Sequence, residues 1–66
     1  MMKLYEVIKY RKPIKVYLNN IFYDIFYFNK EKNIYQGDFG YIPIEKIPDI
    51  LAGKEYVNHI KLESYE

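Results

Sequence analysis

Catalysis needs a nucleophile, a proton-transfer pair, a metal or a cofactor, and this chain offers few of the residues. Ser64 is its single Ser/Thr hydroxyl, His59 is its single imidazole, and it contains no Thr and no Cys. Ser64 lies close to the C-terminus, where chain ends commonly fray. His59 has polar neighbours and reads as a surface residue. Metal sites draw on several His, Cys or carboxylate groups; here the carboxylates are plentiful but scattered. The tripeptide Asp38-Phe39-Gly40 matches the magnesium-binding tripeptide of protein kinases. A kinase also needs a Gly-rich loop, a strand lysine and a catalytic loop, which 66 residues cannot hold. Gly37 and Gly40 do not make a phosphate loop, because no GxGxxG or GKS/GKT pattern surrounds them. They predict a glycine-flanked corner with Phe39 tucked inward. The expectation is a non-enzymatic protein without metal, cofactor or small-molecule substrate.

Binding chemistry is better represented. "KYRKPIK" sets Lys9, Arg11, Lys12 and Lys15 around Tyr10. Cations track phosphates, and a tyrosine ring can stack on an unpaired base for about 1–3 kcal/mol. This segment is the nucleic-acid candidate, and Lys30 and Lys32 could extend it. Its structural alternative is a solvated strand end whose charges protect a sheet edge. The chain also has nine Tyr and four Phe. At roughly 150–250 Å² each, thirteen aromatic side chains would bury some 2,000–3,200 Å², which a chain this small cannot supply beside its Ile, Leu and Val. Several tyrosines must therefore stay at least half exposed. Tyrosine suits interfaces, with a large rigid area and a polar tip. Tyr17, Tyr23, Tyr27 and Tyr35 are the candidate protein-binding residues. The alternative is that tyrosines merely cap the core with wet hydroxyls, their number set by AT-rich codon usage that also favours Ile, Lys and Asn.

The elements that must position these groups are mostly strands. "IFYDIFYF" (21–28) alternates with period 2 and has no properly wet face. Ile21, Tyr23, Ile25 and Tyr27 fall on one side; Phe22, Asp24, Phe26 and Phe28 fall on the other. "IKVYL" before it alternates as well, and Asn19-Asn20 can form the tight turn between them. "KLYEVIKY" could place Leu4, Val7 and Ile8 on one helical stripe, but its aromatic and β-branched content predicts a strand, ended by Pro13. "NKEKN" predicts a charged hairpin loop, and "YIPI" a short edge strand, because Pro43 cannot sit mid-sheet. Pro48, Asp49 and Gly53 predict one short helix over about 48–52. "EYVNHIKLESY" predicts a last strand.

Sixty-six residues make a single domain, 1–66. Area scaling gives roughly 4,500 Å² folded against about 11,700 Å² unfolded, so about 60% of the chain's surface is buried. Without Cys, no disulfide assists. Net charge is +1, far from the basic balance of a dedicated nucleic-acid binder. It is divided, with +4 over residues 1–33 and −3 over residues 34–66, a split that could orient a partner. No secretory leader and no apolar run of membrane-spanning length is visible. A cytoplasmic protein is expected.

The fold class expected is α+β, mostly β: a small antiparallel sheet, or an SH3/OB-like partly open barrel of four to five strands with one short helix before the last. In length, fold type and composition the chain is similar to small accessory proteins of phages, plasmids and archaeal viruses. The function expected is regulation or inhibition of a protein partner, or self-association, through a tyrosine-rich sheet face or edge. The alternative is a β-barrel nucleic-acid binder using Lys9, Tyr10, Arg11, Lys12 and Lys15.

Overall fold

The computed structural model describes residues 2–65. The chain is α+β and mostly β. It begins with helix α1 (Leu4–Lys9), followed by strands β1 (Ile14–Leu18), β2 (Ile21–Asn29), β3 (Ile34–Gln36) and β4 (Tyr41–Pro43). A 3₁₀ turn (Ile44–Lys46) leads into helix α2 (Ile47–Leu51), a second 3₁₀ turn (Glu55–Val57) follows, and β5 (Ile60–Ser64) closes the sheet. The strand order is β4-β3-β2-β1-β5 and all pairings are antiparallel. The sheet curls into a half-barrel, and the short helix expected before the last strand is α2.

The first segment is a helix and not a strand. Leu4, Val7 and Ile8 are the i, i+3, i+4 positions of a stripe, and α1 buries Val7 and Ile8 in the core with Leu4 packed beside them. Burial of that stripe outweighs the β preference of the segment's aromatic and branched residues. The helix stops through a Schellman motif. The Lys12 amide donates to the Val7 carbonyl (2.8 Å) and the Arg11 amide to the Ile8 carbonyl (3.1 Å), with Arg11 at φ 56°. α2 ends in the same way: Lys54 donates to Asp49 and Gly53 to Ile50, both at 3.1 Å, with Gly53 at φ 71°. Residues 55–59 are also not strand; only Ile60–Ser64 pairs with β1.

Asn19 and Asn20 both take positive φ (52° and 67°) and join β1 to β2, the geometry of a two-residue type I′ turn. One residue further along β2, the register slips. Tyr17 pairs with Phe22, whereas Val16 pairs with Asp24. Tyr23 is the extra residue of a β-bulge. Paired residues share a face, so the slip moves Phe22 to the side of Tyr17, away from Phe26 and Phe28 where strict alternation would have put it. Phe22 meets Tyr17 edge-on, with ring centroids 5.7 Å apart. Tyr23 turns toward the other side and meets Phe26 at 6.2 Å.

The core lies on the concave side of the sheet. Ile14, Val16, Phe26, Tyr35, Ile42 and Leu62 pack there against Val7, Ile8, Ile47, Ile50 and Val57. α1 and α2 both contact β5, so the helices cover this side and leave the convex side of the sheet bare.

Candidate functional site

The tyrosines on the strands owe their positions to the sheet register. Tyr27 pairs with Gln36 and Gln36 with Tyr41, which sets Tyr27, Gln36 and Tyr41 in one row on the convex face. Tyr17 and Phe22 form a second row, flanked by Lys61 on β5. Lys15 lies between them, opposite Ile25 and Glu63. Tyr17 is half-buried. Its phenol is held above its ordinary value, first by that burial and then by the Glu63 carboxylate, which accepts its hydrogen bond. Tyr27 is 55% exposed and Tyr41 63%.

Tyr35 is not part of this surface. Its neighbours on the strand face outward, but Tyr35 itself faces the core and is 0% exposed. Its hydroxyl donates to the Lys12 carbonyl at 2.8 Å. Burial raises this phenol above its ordinary value, and the nearby Arg11 cation partly offsets the rise. Sequence alternation puts Tyr35 opposite Ile34 and Gln36, but it could not say which side would be covered.

Phe39 is not tucked inward as its glycine flanks predict. It is 88% exposed, the most exposed of the large apolar residues, at the tip of the corner between β3 and β4. That corner is fastened to the bulge in β2. Asp24 accepts from the Asp38 amide through Oδ2 and from the Ile25 amide through Oδ1, both at 2.8 Å. The Tyr23 hydroxyl donates to the Phe39 carbonyl at 3.0 Å. Gly37 donates to the Gly40 carbonyl at 2.9 Å. A Cβ at Gly37 would come within 2.6 Å of both Asp24 and the Phe26 ring, so the corner closes only on a glycine. The phenyl ring of Phe39 is thus carried on a fixed support into solvent.

Beside that ring lies an apolar hollow of about 150 Å³ at the open end of the half-barrel. Val16, Leu18, Phe26, Ile42 and Ile60 line it, with Tyr23, Gly40 and Tyr41 at its edge and no charged side chain among them. Ile21, opposite Leu18 at the hairpin end, is also exposed. The sequence signal was present in the Tyr23–Asp24 interruption of an apolar run and in the glycines around Phe39. What it lacked was any sign that these two segments meet.

The basic segment is only partly gathered. Lys9 and Arg11 border a second apolar hollow of about 310 Å³ between the helices, floored by Ile8, Ile44, Ile47 and Leu51. The Lys9 ammonium lies 5.6 Å from the Tyr10 ring centroid. Arg11 is committed within the fold: Nη1 donates to the Ile8 carbonyl at 2.7 Å, and the guanidinium lies 5.1 Å from the Phe28 ring centroid. Lys12 is exposed. Lys15 stands apart from these four on the convex sheet face, opposite Glu63.

His59 is exposed, and its carbonyl accepts from the Asn19 amide. Among the described residues, no three His, Asp or Glu side chains come close enough together to hold a metal ion. Among the same residues, no helix is long and apolar enough to cross a membrane. Comparison with models of protein families, with curated proteins and with solved structures finds no significant match to the chain.

Proposed function

We propose that this chain is a non-enzymatic interaction protein that regulates or inhibits a protein partner, or joins to itself, through the aromatic surface of its sheet. One observation carries the reading: most of the chain's aromatic rings stand in water and not in the core. Seven of the nine tyrosines are exposed, together with Phe22 and Phe39. Soluble monomers seldom expose contiguous apolar patches of more than a few hundred Å² unless something binds there. Tyr27 and Tyr41 share one row of the convex face and Tyr17 and Phe22 another, with Lys15 between the rows, while Tyr23 and Phe39 stand exposed at the corner that joins β3 to β4. Of the four tyrosines marked in the sequence, Tyr17, Tyr23 and Tyr27 stay in the proposal and Tyr35 leaves it. Freedom from cysteine suits a reducing compartment such as the cytoplasm.

Affinity capture from the source organism's lysate, with and without nuclease, tests the reading. The expected result is a protein retained after nuclease treatment and lost with the double variant Tyr23→Ala/Tyr27→Ala. Material that disappears with nuclease would favour the segment Lys9–Lys12 and Lys15 as a nucleic-acid contact, with binding that falls steeply as salt rises.

A further inference from the structure

We infer that the open end of the half-barrel is an interface between two copies of this chain, in which the Phe39 ring of each copy occupies the apolar hollow of the other. The inference rests on the reading of the protein as an interaction module and names one partner for it. Three features lead there. The first is the ring itself, 88% exposed on a corner whose backbone is fixed by Asp24 and Tyr23, so that binding has only the side chain left to order. The second is the hollow. At about 150 Å³, it matches the size of apolar cavity that admits a benzene ring. Its lining by Val16, Leu18, Phe26, Ile42 and Ile60 offers a phenyl group only apolar contacts.

The third feature is their relation. Ring and hollow share a border, because Gly40 and Tyr41 follow Phe39 directly and line the hollow's edge, as does Tyr23. A two-fold axis through that border sends each ring into the opposite hollow at the same time. Such an isologous contact closes on itself and does not propagate into a fibre. No charged side chain lines the hollow, so seating the ring there strands no buried charge. Tyr41, Tyr23 and Ile21, all exposed, would surround the two rings and exclude water from them, as residues around a binding hot spot do.

The test is sedimentation velocity of the full chain from about 1 μM to ~1 mM, the weak range of specific affinities. It is paired with isotope-filtered NOE spectra of a mixture of labelled and unlabelled protein. A monomer–dimer equilibrium is expected, with intermolecular NOEs from the Phe39 ring to the Leu18 and Ile60 methyl groups. Phe39→Ala should keep the wild-type amide spectrum away from residues 37–41 and weaken dimerisation by at least about 30-fold, the loss found for a central aromatic anchor. A wild-type chain that stays monomeric throughout overturns the inference. So does a dimer whose Phe39 NOEs go to other residues. A dimer unaffected by Phe39→Ala but lost in Tyr17→Ala/Tyr27→Ala also overturns it, yet leaves the wider reading standing with the convex face as its surface.

Discussion

At the scale of single residues, Tyr35, Asp24 and Gly37 each join segments that are far apart in the chain. Tyr35 is fully buried, and its hydroxyl satisfies the Lys12 carbonyl. Tyr35→Phe should cost about 1–3 kcal/mol, because that carbonyl then loses its partner; urea unfolding at neutral pH measures it. The same residue sets an alkaline limit. Its folded pKa is raised above the ordinary phenol value, so its contribution is complete below about pH 10. It is lost as pH climbs past that value, where the unfolded chain releases the proton first. Urea midpoints followed from pH 8 to 11 should fall above pH 10 in the wild type and fall less in Tyr35→Phe. Gly37→Ala drives a methyl group against Asp24 and the buried Phe26 ring, and should cost about 1–3 kcal/mol. Gly40→Ala meets the Tyr23 hydroxyl at 3.3 Å and the Tyr23 and Phe26 rings only at ordinary contact distances of 3.7 and 3.8 Å, and should cost less in the same assay. That the two glycines make a corner was legible from their spacing. That the corner grips Asp24 was not, because Asp24 and Asp38 are fourteen residues apart.

At the scale of elements, the β1–β2 hairpin, the α2 stop and the Pro43 edge strand were legible, since each depends on a residue with a backbone preference of its own. Asn19-Asn20 accepts positive φ, Gly53 accepts the left-handed turn and Pro43 refuses a central ladder. α1 departs from the strand that its composition predicts, and its stop is made by Arg11, a residue with no such preference. The left-handed cost at Arg11 is offset by its guanidinium, which bonds Ile8 and lies over Phe28. Arg11→Ala keeps the strained backbone and removes both contacts; a loss of about 1–3 kcal/mol is expected. Arg11→Gly relieves the backbone by roughly 1 kcal/mol and should fall between Arg11→Ala and wild type. Thermal melts of the three proteins order them. The bulge at Tyr23 was likewise invisible to a period-2 reading, which assumes an unbroken ladder.

At the scale of the whole molecule, a surface of 4842 Å² on a chain of 8.1 kDa leaves a small interior, close to the roughly 4,500 Å² that size alone requires. A core of this size gives modest stability, so binding energy at the open end should be visible in unfolding. If two copies exchange Phe39, the melting temperature rises with protein concentration in the wild type and is flat in Phe39→Ala; differential scanning calorimetry across a hundredfold dilution series checks this.

What the sequence determined by itself followed from counting and local preference. The chain has more aromatic area than so small an interior can hold, and its turn formers divide it into short antiparallel strands with a helix before the last. Which rings stay inside was decided only in three dimensions. Phe22 went out because one slip of register moved it to the side of Tyr17, Phe39 went out on a hydrogen-bonded corner, and Tyr35 went in because it pairs with Phe28 on the side the helices cover. Those choices join residues far apart in the chain, where local patterning has no reach.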